Sequence, residues 1–94
     1  MDRLKSKATD ELFSAILKLK TPEECYNFFE DVCTVKEIQA ISQRFEVAKM
    51  LTEGKLYSDI VKETGASTAT ISRVNRSLTY GNDGYRLIFN RLKK

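Results

Sequence analysis

Ninety-four residues hold one small domain at most, with a thin core for a lone chain. Two cysteines and no histidine remove the usual Cys/His zinc constellations and leave too few thiolates for a four-cysteine site. The net charge of +3 is unevenly spread: residues 55–94 carry eight basic and three acidic side chains, residues 1–54 eight and ten. A basic excess confined to the C-terminal half suits a phosphate-bearing partner.

No apolar run is long enough to span a bilayer, and charge interrupts every stretch that could serve as a secretory leader. No membrane association and a cytoplasmic location are therefore expected. Cys25 and Cys33, eight residues apart, are read as buried, reduced packing residues.

Six helices are predicted, near 9–19, 22–32, 35–53, 58–64, 67–79 and 84–92, and no segment alternates as a strand does; the fold class is all-α. The first carries Leu12, Phe13, Ile16 and Leu17 at helical spacing. Thr21-Pro22-Glu23-Glu24 opens the second as a capping box with proline at the first helical position. Its apolar side holds Cys25, Phe28, Phe29 and Val32. Thr34 and Glu37 form a second capping box before a long helix that Gly54 ends. That helix carries a seam of Ile38, Ile41, Phe45 and Ala48, widened by Ala40, Val47, Met50 and Leu51.

Residues 57–79 hold the most specific pattern. Ile60, Val61 and Thr64 lead into Gly65-Ala66, and Ile71, Val74 and Leu78 follow on one face. Gly65 supplies the positive φ that a sharp reversal needs. Ala66 permits a close crossing, and Ser67 caps the next helix. At about 100° per residue the opposite face carries Ala69, Ser72, Arg73 and Arg76, flanked by Thr68, Thr70 and Ser77. This is the pattern of a helix-turn-helix whose second helix reads the major groove of double-stranded DNA. The DNA-contacting candidates are Lys62, Ser67, Thr68, Ala69, Thr70, Ser72, Arg73 and Arg76. The last helix starts at the Asn82-Asp83 signal and adds Tyr85, Ile88, Phe89 and Leu92.

Apolar faces this wide exceed what so short a chain covers alone. A homodimer whose helices from two chains share a core is expected, with two reading helices about 34 Å apart. One domain, 1–94, is read as a helical dimerisation core (1–54), a helix-turn-helix (57–79) and a C-terminal helix completing the core (84–94).

GASTATISRVNRSL, preceded by QRFEVAKMLTEGKLYSDIVKET, resembles the Trp repressor family. The likeness is clearest from Thr34 to Thr79, and to the YerC/YecD-type relatives it covers nearly the whole chain. It implies an intertwined all-α homodimer that binds operator DNA and regulates transcription, most simply as a repressor. By the resemblance, Thr68, Ala69 and Thr70 match the base-reading first turn, and Ser72 and Arg73 match other DNA-contacting positions. Arg44 and Arg73 match the arginines that clamp tryptophan in the co-repressor pocket, and Ser77 matches a serine at the ligand's amino group. Val74 stands where the tryptophan-binding protein has glycine beside the indole, so a pocket built this way should reject it. Without a ligand, Arg44 is expected to be a solvated or salt-bridged surface arginine, with Glu37 and Glu46 as the candidate partners. No cofactor is implied, and no particular effector.

Catalysis has little to stand on: there is no histidine, no glycine-rich phosphate loop and no metal cluster in the sequence. The rival reading is a helical protein–protein interaction module without sequence-specific DNA binding. Single-strand RNA binding is disfavoured because only Tyr80 offers a ring near the reading helix.

Overall fold

The computed structural model describes residues 3–93. Met1 and Asp2 of the 1–54 segment, and Lys94 of the basic tail, lie outside them. Six helices run in order: α1 (Lys7–Ile16), α2 (Pro22–Val32), α3 (Val35–Thr52), α4 (Tyr57–Thr64), α5 (Thr68–Tyr80) and α6 (Gly84–Leu92). Among the described residues there is no strand, as the periodicity predicts.

Local chemistry explains most of the boundaries. The Thr21 hydroxyl accepts from Glu24 N, and Pro22 begins α2. The box at Thr34 closes both ways, its hydroxyl accepting from Glu37 N at 3.1 Å and its own N–H donating to Glu37 Oε1 at 2.8 Å. The exception is α1, which starts two residues earlier than expected and ends three earlier. Ser6 is the cap, accepting from Thr9 N at 3.0 Å. Beyond Ile16 the chain tightens into bonds spanning three residues, from Lys18 N to Ala15 O and from Leu19 N to Ile16 O. Such bonds tighten the last turn of an α-helix and end it.

The chain divides into two compact units, residues 1–38 and 39–94. In the first, Phe28 and Phe29 meet edge to face with ring centroids 5.4 Å apart. Neither α1 nor α2 contains a buried residue, and Phe13, Leu17 and Val32 stand open. Cys25 and Cys33 are free and half-buried, not buried as expected. Their side of α2 is only partly covered by this chain.

The second unit holds the core. Val47, Ala48 and Met50 of α3 pack with Ile60 of α4, Ala66 of the turn, and Ile71, Val74 and Leu78 of α5. Leu51, Tyr85 and Phe89 close over it, and Phe89 lies 5.2 Å from the Phe45 ring. The expected α3 seam is only partly covered within this chain. Ala48 is buried, but Ile41 is 51% exposed and Phe45 is at the surface, because the helix-turn-helix packs on the flank carrying Val47 and Met50.

Two glycines are dictated for different reasons. Gly65 ends α4 at φ +73°, in the left-handed region. Gly81 has an ordinary extended backbone, but a Cβ there would collide with the Ser77 carbonyl oxygen that accepts the Gly81 N–H. Gly65→Ala should cost about 1–2 kcal/mol through φ, and Gly81→Ala about 1–3 kcal/mol through the clash. Gly84→Ala, with open space at the Cβ, should be neutral or stabilising by up to about 1 kcal/mol. Urea midpoints of the three variants test this ranking.

Candidate nucleic-acid interface

The α5 helix presents two unlike sides. Ile71 is 0% exposed and Val74 1%, with Leu78 a turn further on. Ser67, Thr68, Ala69, Ser72, Arg73 and Arg76 are exposed. The outward side therefore stays free of internal packing, and its small residues leave room for close approach to a groove. The helix opens on the Ser67 cap, which accepts from Thr70 N at 3.1 Å. Its first turn carries no acidic residue, so nothing there neutralises the positive end that favours a phosphate.

Thr70 differs from its neighbours. It is half-buried, and its hydroxyl shares a 3.1 Å hydrogen bond with the Ser67 hydroxyl. Part of its hydrogen-bonding capacity thus serves the cap, and Thr68 and Ser72 carry the freer hydroxyls. Lys62 is exposed in the last turn of α4, where a cation also complements the helix end.

The turn between α4 and α5 is braced by side chains. The Thr64 hydroxyl donates to Ile60 O at 2.7 Å and accepts from Ala66 N at 3.1 Å. Gln43 Nε2 on α3 donates to Thr64 O at 3.1 Å. At the other end of α5, Arg86 Nη2 donates to Leu78 O at 3.1 Å. Gln43 and Arg86 escape sequence reasoning. The one available signal for Gln43 is a polar residue one turn before Val47 on the packed flank of α3.

The family model of the Trp repressor protein matches residues 7–93. The chain belongs to the Trp repressor family. It is 57% identical to the uncharacterised protein YerC of Bacillus subtilis, over all of this chain and 90% of that protein. Its structure is similar to that of a TrpR-like protein from Eubacterium eligens, with a TM-score of 0.96 at 63% identity, covering 99% of this chain and 96% of that one. A candidate Trp repressor from Staphylococcus aureus gives 0.95 at 58% identity, over 98% and 92%. Membership of the Trp repressor family makes the chain a DNA-binding regulator in kind.

Arg44 on α3 and Arg73 and Ser77 on α5 are the positions matching the Trp repressor's ligand clamp. Ser77 lines a groove of about 420 Å³ with Phe45, Asn82, Gly84, Tyr85 and Ile88, and neither Arg44 nor Arg73 borders it. Arg44 is half-buried and Arg73 exposed. Of the two expected states of Arg44, the salt-bridged one is not seen: among the described residues the salt bridges join Lys5 to Asp10 and Arg86 to Asp83. Glu37 is occupied with its own capping box. Val74 is buried within the core cluster, so its branched side chain fills space where glycine would leave room. Among the described residues no helix is long and apolar enough to cross a membrane.

Proposed function

We propose that this protein is a sequence-specific double-stranded DNA-binding regulator of transcription, acting as a homodimeric repressor in the cytoplasm and not controlled by tryptophan. The observation that carries the reading is the division of α5 into a buried apolar side and an outward side of hydroxyls and arginines. In the major groove Thr68, Ala69 and Ser72 meet base edges, directly or through water, with Thr70 contributing from the cap. Arg73, Arg76 and Lys62 meet phosphates, which position the helix without reading sequence.

Large apolar side chains left open in both units, Phe13 and Leu17 in the first and Ile41 and Leu92 in the second, support the homodimer. Monomers rarely leave so much apolar surface uncovered. Two rigidly held reading helices bind far better than one, because the second one docks at high effective concentration. The buried Val74 supports independence from tryptophan.

Selection of bound sites from random duplex tests the whole reading. The expected product is a two-fold symmetric site with half-sites about one helical turn apart, selected equally with and without L-tryptophan. Thr68→Val keeps the shape of the side chain and removes its hydroxyl. It should change which base is preferred, by about 1–3 kcal/mol at the misread position. A uniform loss across sequences would take Thr68 out of base reading. A protein with no salt-dependent affinity for duplex is instead an interaction module.

A further inference from the structure

Gln43 is half-buried on α3, and its side-chain amide donates to the carbonyl of Thr64, the last residue of α4, 21 positions along the chain. Every other side-chain hydrogen bond among the described residues spans eight positions or fewer. The apolar packing between α3 and the helix-turn-helix joins Val47, Ala48 and Met50 with Ile60, Ala66, Ile71, Val74 and Leu78. Such packing is held by the area removed from water, which depends weakly on direction. Helix crossings of one packing class scatter by about 15–20°. For a helix of 13 residues, roughly 20 Å long, a swing of about 10° moves the far end by about 3 Å. That is about the spacing of successive phosphates on one strand, roughly 3.4 Å. A change of tilt of that size would therefore shift α5 by about one phosphate, so a directional contact at the turn bears on its register on a duplex.

A hydrogen bond narrows that freedom, because it weakens steeply as it is misaligned. The Thr64 carbonyl points out of the turn that aims α5, and Gly65 N–H to Val61 O, Thr64 to Ile60 O and Ala66 N–H to Thr64 make that turn stiff. A tie at this carbonyl is thus carried to the first turn of the reading helix. We propose that Gln43 is a positioning residue that sets the aim of α5 on DNA, acting through the turn without touching the nucleic acid. This inference rests on the DNA-binding reading above.

The test uses Gln43→Met, which keeps the length of the side chain and removes the donor, and Gln43→His, which keeps a neutral N–H at similar reach. Gln43→Glu, with the same shape and an acceptor in place of the donor, replaces the methionine variant should that fail to fold. The readouts are the affinity ratio between the duplex selected by the wild-type protein and an unrelated duplex, the salt slope of each, and amide exchange at Gly65 and Ala66. The donor-less variant should lose about tenfold of the ratio with an unchanged salt slope, and its two amides should exchange faster. Gln43→His should recover most of both. Unchanged exchange, or faster exchange with the ratio intact, overturns the proposal. Absence of any site preference in the unsubstituted protein ends the DNA-binding reading and the role of Gln43 with it, and is distinguished by being seen before any substitution.

Discussion

Ile71→Ala is expected to lower the unfolding free energy by about 2–5 kcal/mol. Ile71 is 0% exposed and sits in the cluster where α3, α4 and α5 meet. Truncation loses the transfer free energy of the removed methyl and methylene groups, and adds a cavity that the surrounding helices cannot fully collapse. A small domain is stable by only about 5–15 kcal/mol in total. The variant should therefore stand near the threshold of folding. Ser72→Ala, one residue along on the exposed side, should change stability by no more than about 0.5 kcal/mol. Urea denaturation at matched protein concentration checks the pair, since dimerisation would make the midpoint concentration-dependent. Equal midpoints would mean that the anchored side of α5 is misassigned.

Arg73→Ala and Arg76→Ala should each weaken binding to every duplex and make its salt dependence shallower. Every phosphate left without its arginine takes about 0.9 off the slope of log affinity against log salt. In a two-fold dimer one substitution frees two phosphates, so a fall of about 2 is expected for either variant. Site preference should survive, because phosphate contacts fix orientation and base contacts carry sequence. Arg86→Ala is the control. Its guanidinium is engaged with Leu78 O and Asp83, so its removal should lower stability and leave the slope unchanged. Unchanged binding without Arg73 or Arg76 would take that residue out of the interface.

Much of the site is legible in the sequence because its rules are local. A hydroxyl followed three residues later by a free N–H makes a cap, and Thr21, Thr34 and Ser67 all act as the spacing predicts. Ser6 acts in the same way, yet it is obscured by a weakly patterned N-terminus, and α1 is accordingly misplaced. A reversal between helices needs positive φ, and Gly65 has it. The start of α6 is less simple. Asp83 takes a left-handed backbone without a side-chain cap bond, and its carboxylate faces Arg86 at 3.8 Å.

From residue order alone follow the six helices, the turn at Gly65 and the two sides of α5, since helical periodicity and capping act within a few neighbours along the chain. Packing alone decides the rest. It turns the Val47 and Met50 flank of α3 inward, leaves Ile41 outside, and sets the Gln43 amide on a carbonyl 21 residues away. Each of these depends on where one helix crosses another, and that is fixed by complementary side-chain volumes between segments with no shared local rule.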